Sequence, residues 1–103
     1  MTVVAYVPDL MDRSKVSAAA PEVRFVATPA ALPEAAAGAT VVVVDLGRAG
    51  VVDVLPAVVA TGARVVAFGS HVDRGTLDAA RAGGCTEVLP RSRFFSDLAS
   101  LLH

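Results

Sequence analysis

Five short apolar runs, rich in β-branched residues, recur along the chain at residues 2–7, 22–27, 40–45, 64–68 and 87–89. Runs such as "VVVV" and "RVVAF" do not alternate apolar with polar positions, so they predict strands covered on both faces. Parallel strands between two helical layers meet that demand, because each crossover connection supplies a covering helix.

The stretches between the runs carry helix punctuation. Asp53 is expected to cap a helix through "VLPAVVAT", with Pro56 in its first turn and Gly62 at its end. Asp73 is expected to cap "RGTLDAARAG", which Gly83 and Gly84 close. Ser92 is expected to cap the last helix, whose Phe94, Phe95, Leu98, Leu101 and Leu102 share one arc of about 120° at 100° per residue. The segments "DLMDRSKVSAAA" and "PAALPEAAAG" are less clearly helical, and Pro29 and Pro33 shorten the second. The pattern is (βα)5: one α/β domain over residues 1–103, three-layered and flavodoxin-like. Right-handed crossovers place its five parallel strands in the order 2-1-3-4-5.

Composition narrows the function more than the fold. A 103-residue chain supports one core, and a hydrophobic content of 54% excludes disorder. No apolar run reaches the roughly 18–20 residues that span a bilayer, and the N-terminus lacks the basic start of a signal peptide. With Cys85 as the single cysteine, these features predict a cytoplasmic protein. A net charge of −1 with scattered arginines gives no general attraction to nucleic acid.

In the 2-1-3-4-5 order a crevice opens at the carboxyl ends of strands one and three, the usual place for a site. Asp9 follows strand one and Asp45 ends strand three, so both are expected there. They are a candidate seat for a hard cation such as Mg2+, and Asp9 equally suits the N-cap of the first helix. Asp12 is expected to be solvated. Neither G-x-G-x-x-G after a strand nor G-x-x-x-x-G-K-[ST] is present, which removes support for dinucleotide or P-loop binding. The first loop, "PDLMDRSK", offers carboxylates where a phosphate would need free N–H groups. Cys85, His71 and His103 lack zinc-ligand spacing, and there is no G-x-S-x-G elbow.

With "VVVVDL" ending strand three, an acid after strand one, and "AFGSHVD…LDAARAGG…EVL" beyond, the chain resembles bacterial response-regulator receiver domains of the CheY-like kind. The resemblance runs over nearly the whole chain and is firmest from residue 40 to 89. It implies a phosphoacceptor position at Asp45, an acidic pair after strand one that holds Mg2+, a hydroxyl residue after strand four and a lysine after strand five. Here Asp9 matches one acid while Pro8 takes the other's place. Gly69 stands at the hydroxyl position with Ser70 one residue later, and Pro90 stands at the lysine position with Arg91 one residue later. Arginine is longer and planar where lysine is a point charge. One carboxylate fewer also weakens the pull on a dication. The switch aromatic of strand five is replaced by Glu87 or Val88.

The expected protein is therefore a stand-alone, non-enzymatic pseudo-receiver that signals by protein contact, requires no cofactor and is not conventionally phosphorylated. Its partner would be a histidine kinase, another regulator or a second copy. The resemblance places docking on the fourth helix, fifth strand and fifth helix, with Asp78, Arg81, Glu87, Arg93 and Asp97 as contact residues. Ser70 and Arg91 are auxiliary crevice residues. Two alternatives stand beside this reading: a working receiver phosphorylated on Asp45 with Mg2+, and a small flavodoxin-like ligand binder or enzyme subunit.

Overall fold

The valine runs do form a central parallel sheet. A computed structural model describes residues 2–103, and in it β1 (Val3–Tyr6), β2 (Arg24–Phe25), β3 (Val41–Asp45), β4 (Arg64–Gly69) and β5 (Glu87–Pro90) pair in the order β2-β1-β3-β4-β5. All four pairings are parallel, as the sequence pattern requires. Alternate residues of each strand go to opposite layers. Val4, Tyr6, Val42, Val44, Val65 and Ala67 pack under α2 (Leu32–Ala36), α3 (Val51–Val59) and α4 (Arg74–Ala82). Val3, Ala5, Val41, Val43, Val66 and Phe68 pack under α1 (Leu10–Ala19), α5 (Arg91–Ser96) and α6 (Leu98–Leu102). Every residue of β1 and β3 is buried, which is why no polar alternation shows in their sequences.

Several helix boundaries differ from the sequence expectation. Asp53 does not cap α3. That helix begins at Val51, after Gly50 turns the chain with φ of 84°, because an earlier start aligns Val51, Leu55 and Val58 on one buried stripe. Pro56 consequently lies inside the helix, where its missing N–H removes one i→i−4 bond. Ser92 does not cap the last helix either; Pro90 in extended conformation precedes α5, which starts at Arg91. The terminal segment divides at Asp97 into α5 and α6, yet Phe94, Leu98, Leu101 and Leu102 stay buried as the common arc predicts. Asp73 caps α4 as expected, accepting from the backbone N–H of Thr76 at 3.2 Å. The strand at 22–27 contracts to two paired residues at the sheet edge.

Candidate crevice at the strand ends

Parallel pairing brings the ends of β1, β3, β4 and β5 to one edge of the domain. Tyr6 pairs with Val44, Asp45 with Phe68 and Gly69 with Pro90. The loops after these strands therefore meet over a common crevice, and each carries charge there.

Asp45 is buried although it ends its strand, with 5% of its surface exposed. One carboxylate oxygen accepts the Gly47 backbone N–H at 2.9 Å, closing a tight turn. The other lies 3.9 Å from Nε of Arg48, whose side chain is half-exposed. Space beside the carboxylate is limited, since a Cβ at Gly47 would come within 3.2 Å of it.

Asp9 is the N-cap of α1. Its side chain accepts the Asp12 backbone N–H at 3.0 Å. That hydrogen bond is the main reason its pKa lies below the usual carboxylate value. Partial desolvation opposes the shift, while the Met11 N–H and the charges of Arg91 and Arg48 add to it. Both arginines are thus close enough to act on Asp9.

The structure corrects the expectation for Asp12. Its carboxylate is buried rather than solvated, at 5% side-chain exposure, and Nη2 of Arg91 lies 2.9 Å from each of its two oxygens. The signal was present in the sequence: Asp12 sits one turn before Val16, and both fall on the buried face of α1. The guanidinium of Arg91 also lies 5.4 Å from the ring centre of Phe68 and 5.2 Å from that of Phe95. Those rings belong to a cluster with Phe94, which stacks on Phe68 at 4.4 Å. Arg91 thereby fastens the start of α5 to the start of α1 across the crevice.

Ser70 is exposed, and its hydroxyl accepts from the Val72 N–H at 3.4 Å within its own turn. Gly69 keeps β4 close to the β3 loop, since a Cβ there would meet Leu46 at 3.3 Å and Leu77 at 3.4 Å. The crevice therefore gathers Asp9, Asp12, Asp45, Arg48 and Arg91, whereas Ser70 serves its turn. Sequence reasoning passed over Arg48, whose place three residues after Asp45 at the end of a buried strand was the available cue.

These side chains do not fit a tightly held divalent ion. Among the described residues, no group of three or more His, Cys, Asp or Glu side chains is arranged to hold a metal. Two carboxylates can hold Mg2+ when waters complete its shell, but here Arg48 and Arg91 add positive charge beside Asp9 and Asp45.

The residues expected on the α4–β5–α5 face form their own ion pairs: Asp78 with Arg81 at 2.9 Å and Arg93 with Asp97 at 3.2 Å. Glu87 is partly buried. A groove of about 560 Å³ runs along α4 to the end of β5, lined by His71, Arg74, Leu77, Asp78, Arg81 and Pro90. Cys85 is half-buried, and burial raises its thiol pKa, in keeping with a packing role. No helix among the described residues is long and apolar enough to cross a membrane.

No protein-family model matches the chain, and no curated protein sequence matches it. Solved structures do. The NarL signal receiver domain from Mycobacterium tuberculosis matches with a TM-score of 0.78 and 18% identity, over 98% of this chain and 91% of that one. A CheY-like protein, tadZ, from Pseudomonas aeruginosa matches with a TM-score of 0.78 and 22% identity, over 99% and 96%. A Burkholderia pseudomallei response regulator, solved with a phosphorylated aspartic acid, calcium ion and citrate, matches with a TM-score of 0.79 and 12% identity. That match covers 99% of this chain and 66% of the other. With strand order, layering and these full-length matches in agreement, the chain has the CheY-like fold of response-regulator receiver domains.

Proposed function

We propose that this domain is a receiver-fold signalling module that works by protein contact, with Asp45 at the phosphoacceptor position but not conventionally phosphorylated. The observation that carries the reading is the commitment of Arg91 to Asp12. A receiver's phosphoryl group needs a cation free to neutralise its oxygens. Here the guanidinium nearest the β5 end is already bound to a buried carboxylate. The domain requires no cofactor in this role and acts in the cytoplasm. Its partner is a kinase, another regulator or a second copy.

Docking falls on the α4–β5–α5 face that carries Asp78, Arg81, Glu87, Arg93 and Asp97, of which Asp78 and Arg81 line the α4 groove. Mixed charges of this kind set register and orientation more than raw affinity.

The test is intact-mass measurement after incubation with acetyl phosphate and Mg2+, beside Asp45→Ala. The expected result is no phosphoryl adduct on either protein. An adduct on the natural chain that Asp45→Ala abolishes would establish the second reading, a working phosphoacceptor. The buried strand-end placement of Asp45 is the observation that favours that alternative. In that case the carboxylate oxygen attacks phosphorus and acetate leaves, giving an aspartyl phosphate.

A further inference from the structure

The poor fit of the crevice to a divalent ion has a physical counterpart in Arg91. A dication in such a crevice would neutralise the carboxylates after β1 and tie that loop to its neighbours. Arg91 already does both. Its Nη2 lies 2.9 Å from both oxygens of Asp12, which it reaches from the end of β5, and its charge adds to the lowering of the Asp9 pKa that the Asp12 backbone N–H mainly causes. The two rings beside it, at 5.4 and 5.2 Å, hold the planar group in place as they could not hold a hydrated ion. Arg48 contributes in the same sense from the β3 side, 3.9 Å from Asp45 and within range of Asp9.

We propose that the guanidinium of Arg91 is the resident cation of this crevice, a built-in replacement for a divalent metal that keeps the β1 and β5 ends joined whether or not metal is available. The proposal rests on the receiver-fold reading above, but its test reads the cation's place rather than the chemistry of Asp45.

The probe is Mn2+ alone, followed by electron paramagnetic resonance and by broadening of amide NMR signals. The natural protein is expected to show no saturable site, and no selective broadening of Asp9, Asp12 or Asp45. Arg91→Gln keeps a side chain able to donate to Asp12 while removing the charge. It is expected to gain one Mn2+ site at least roughly tenfold tighter than any binding by the natural protein. Mg2+ should compete for that site, and adding Asp12→Asn should abolish it. Arg91→Lys retains the charge and should exclude the ion.

Selective broadening at Asp9, Asp12 and Asp45 in the natural protein would overturn the proposal whether or not any variant folds. An Arg91→Gln variant that folds and gains no site would overturn it as well. A phosphoryl adduct on Asp45 would instead contradict the functional reading, so the two failures are separable.

Discussion

Breaking the Asp12–Arg91 pair should cost the domain a measurable part of its stability. The Asp12 carboxylate is buried while the Arg91 side chain is 45% exposed, so the pair lies between two regimes. Removing one partner of a fully buried pair costs about 3–5 kcal/mol, whereas exposed pairs contribute about 0–1 kcal/mol. Screening on the arginine side brings the expectation for Arg91→Ala to about 2 kcal/mol. Contact with Phe68 and Phe95 adds about 0.5–1 kcal/mol. For a domain of this size the total corresponds to a fall in Tm of roughly 10–20 °C.

Asp12→Asn should cost less, because an amide oxygen still accepts from the guanidinium and no buried charge is stranded. Urea denaturation of both single variants and the double variant gives the coupling directly. Coupling of at least about 1 kcal/mol is expected. Additive effects, with each single variant near the natural protein, would show that the pair is incidental and that Arg91 does not hold α5 to α1.

Two further outcomes follow from the same contacts. Asp9 has a lowered pKa in the folded protein, so its capping contribution is present above the unfolded carboxylate value of about 3.9 and is lost as pH falls through the lower folded value. Amide exchange at the start of α1 should accordingly show acid-induced fraying that Asp9→Ala, which lacks any capping oxygen, shows already at neutral pH. Phe94→Ala removes a fully buried ring stacked on Phe68. By denaturant titration it should cost about 3–5 kcal/mol, and a loss below about 1 kcal/mol would contradict the packing described.

Much of the fold was legible because burial on both faces leaves a direct trace in sequence. "VVVV" and "RVVAF" cannot be half-exposed strands, and the order 2-1-3-4-5 follows from covering them with right-handed crossovers. Local signals did worse where packing overrode them. Asp53 is a good capping residue, but burying Val51 moves the start of α3 three residues earlier, with Gly50 in place of Asp53 at the cap. Ser92 lost the cap to the fixed φ of Pro90.

The site shows a similar division. Position along the sheet located Asp45 and Asp9, since strand ends are set by the fold. The pairing of Asp12 with Arg91 spans 79 residues and depends on how α1 and α5 pack, which no local spacing encodes. Arg91 reaches the crevice despite following the lysine position by one residue because it opens a helix and is not bound to the strand's alternation.

The central claim, that this receiver fold holds its site closed by internal ion pairs and is not switched at Asp45, is tested most directly by amide NMR during titration with Mg2+ and beryllofluoride. The spectrum is expected to remain unchanged at Asp9, Asp45, Gly47, Ser70 and Arg91, and throughout α4 and α5. Saturable shifts starting at Asp45 and Gly47 and extending to the α4–β5–α5 face would contradict it.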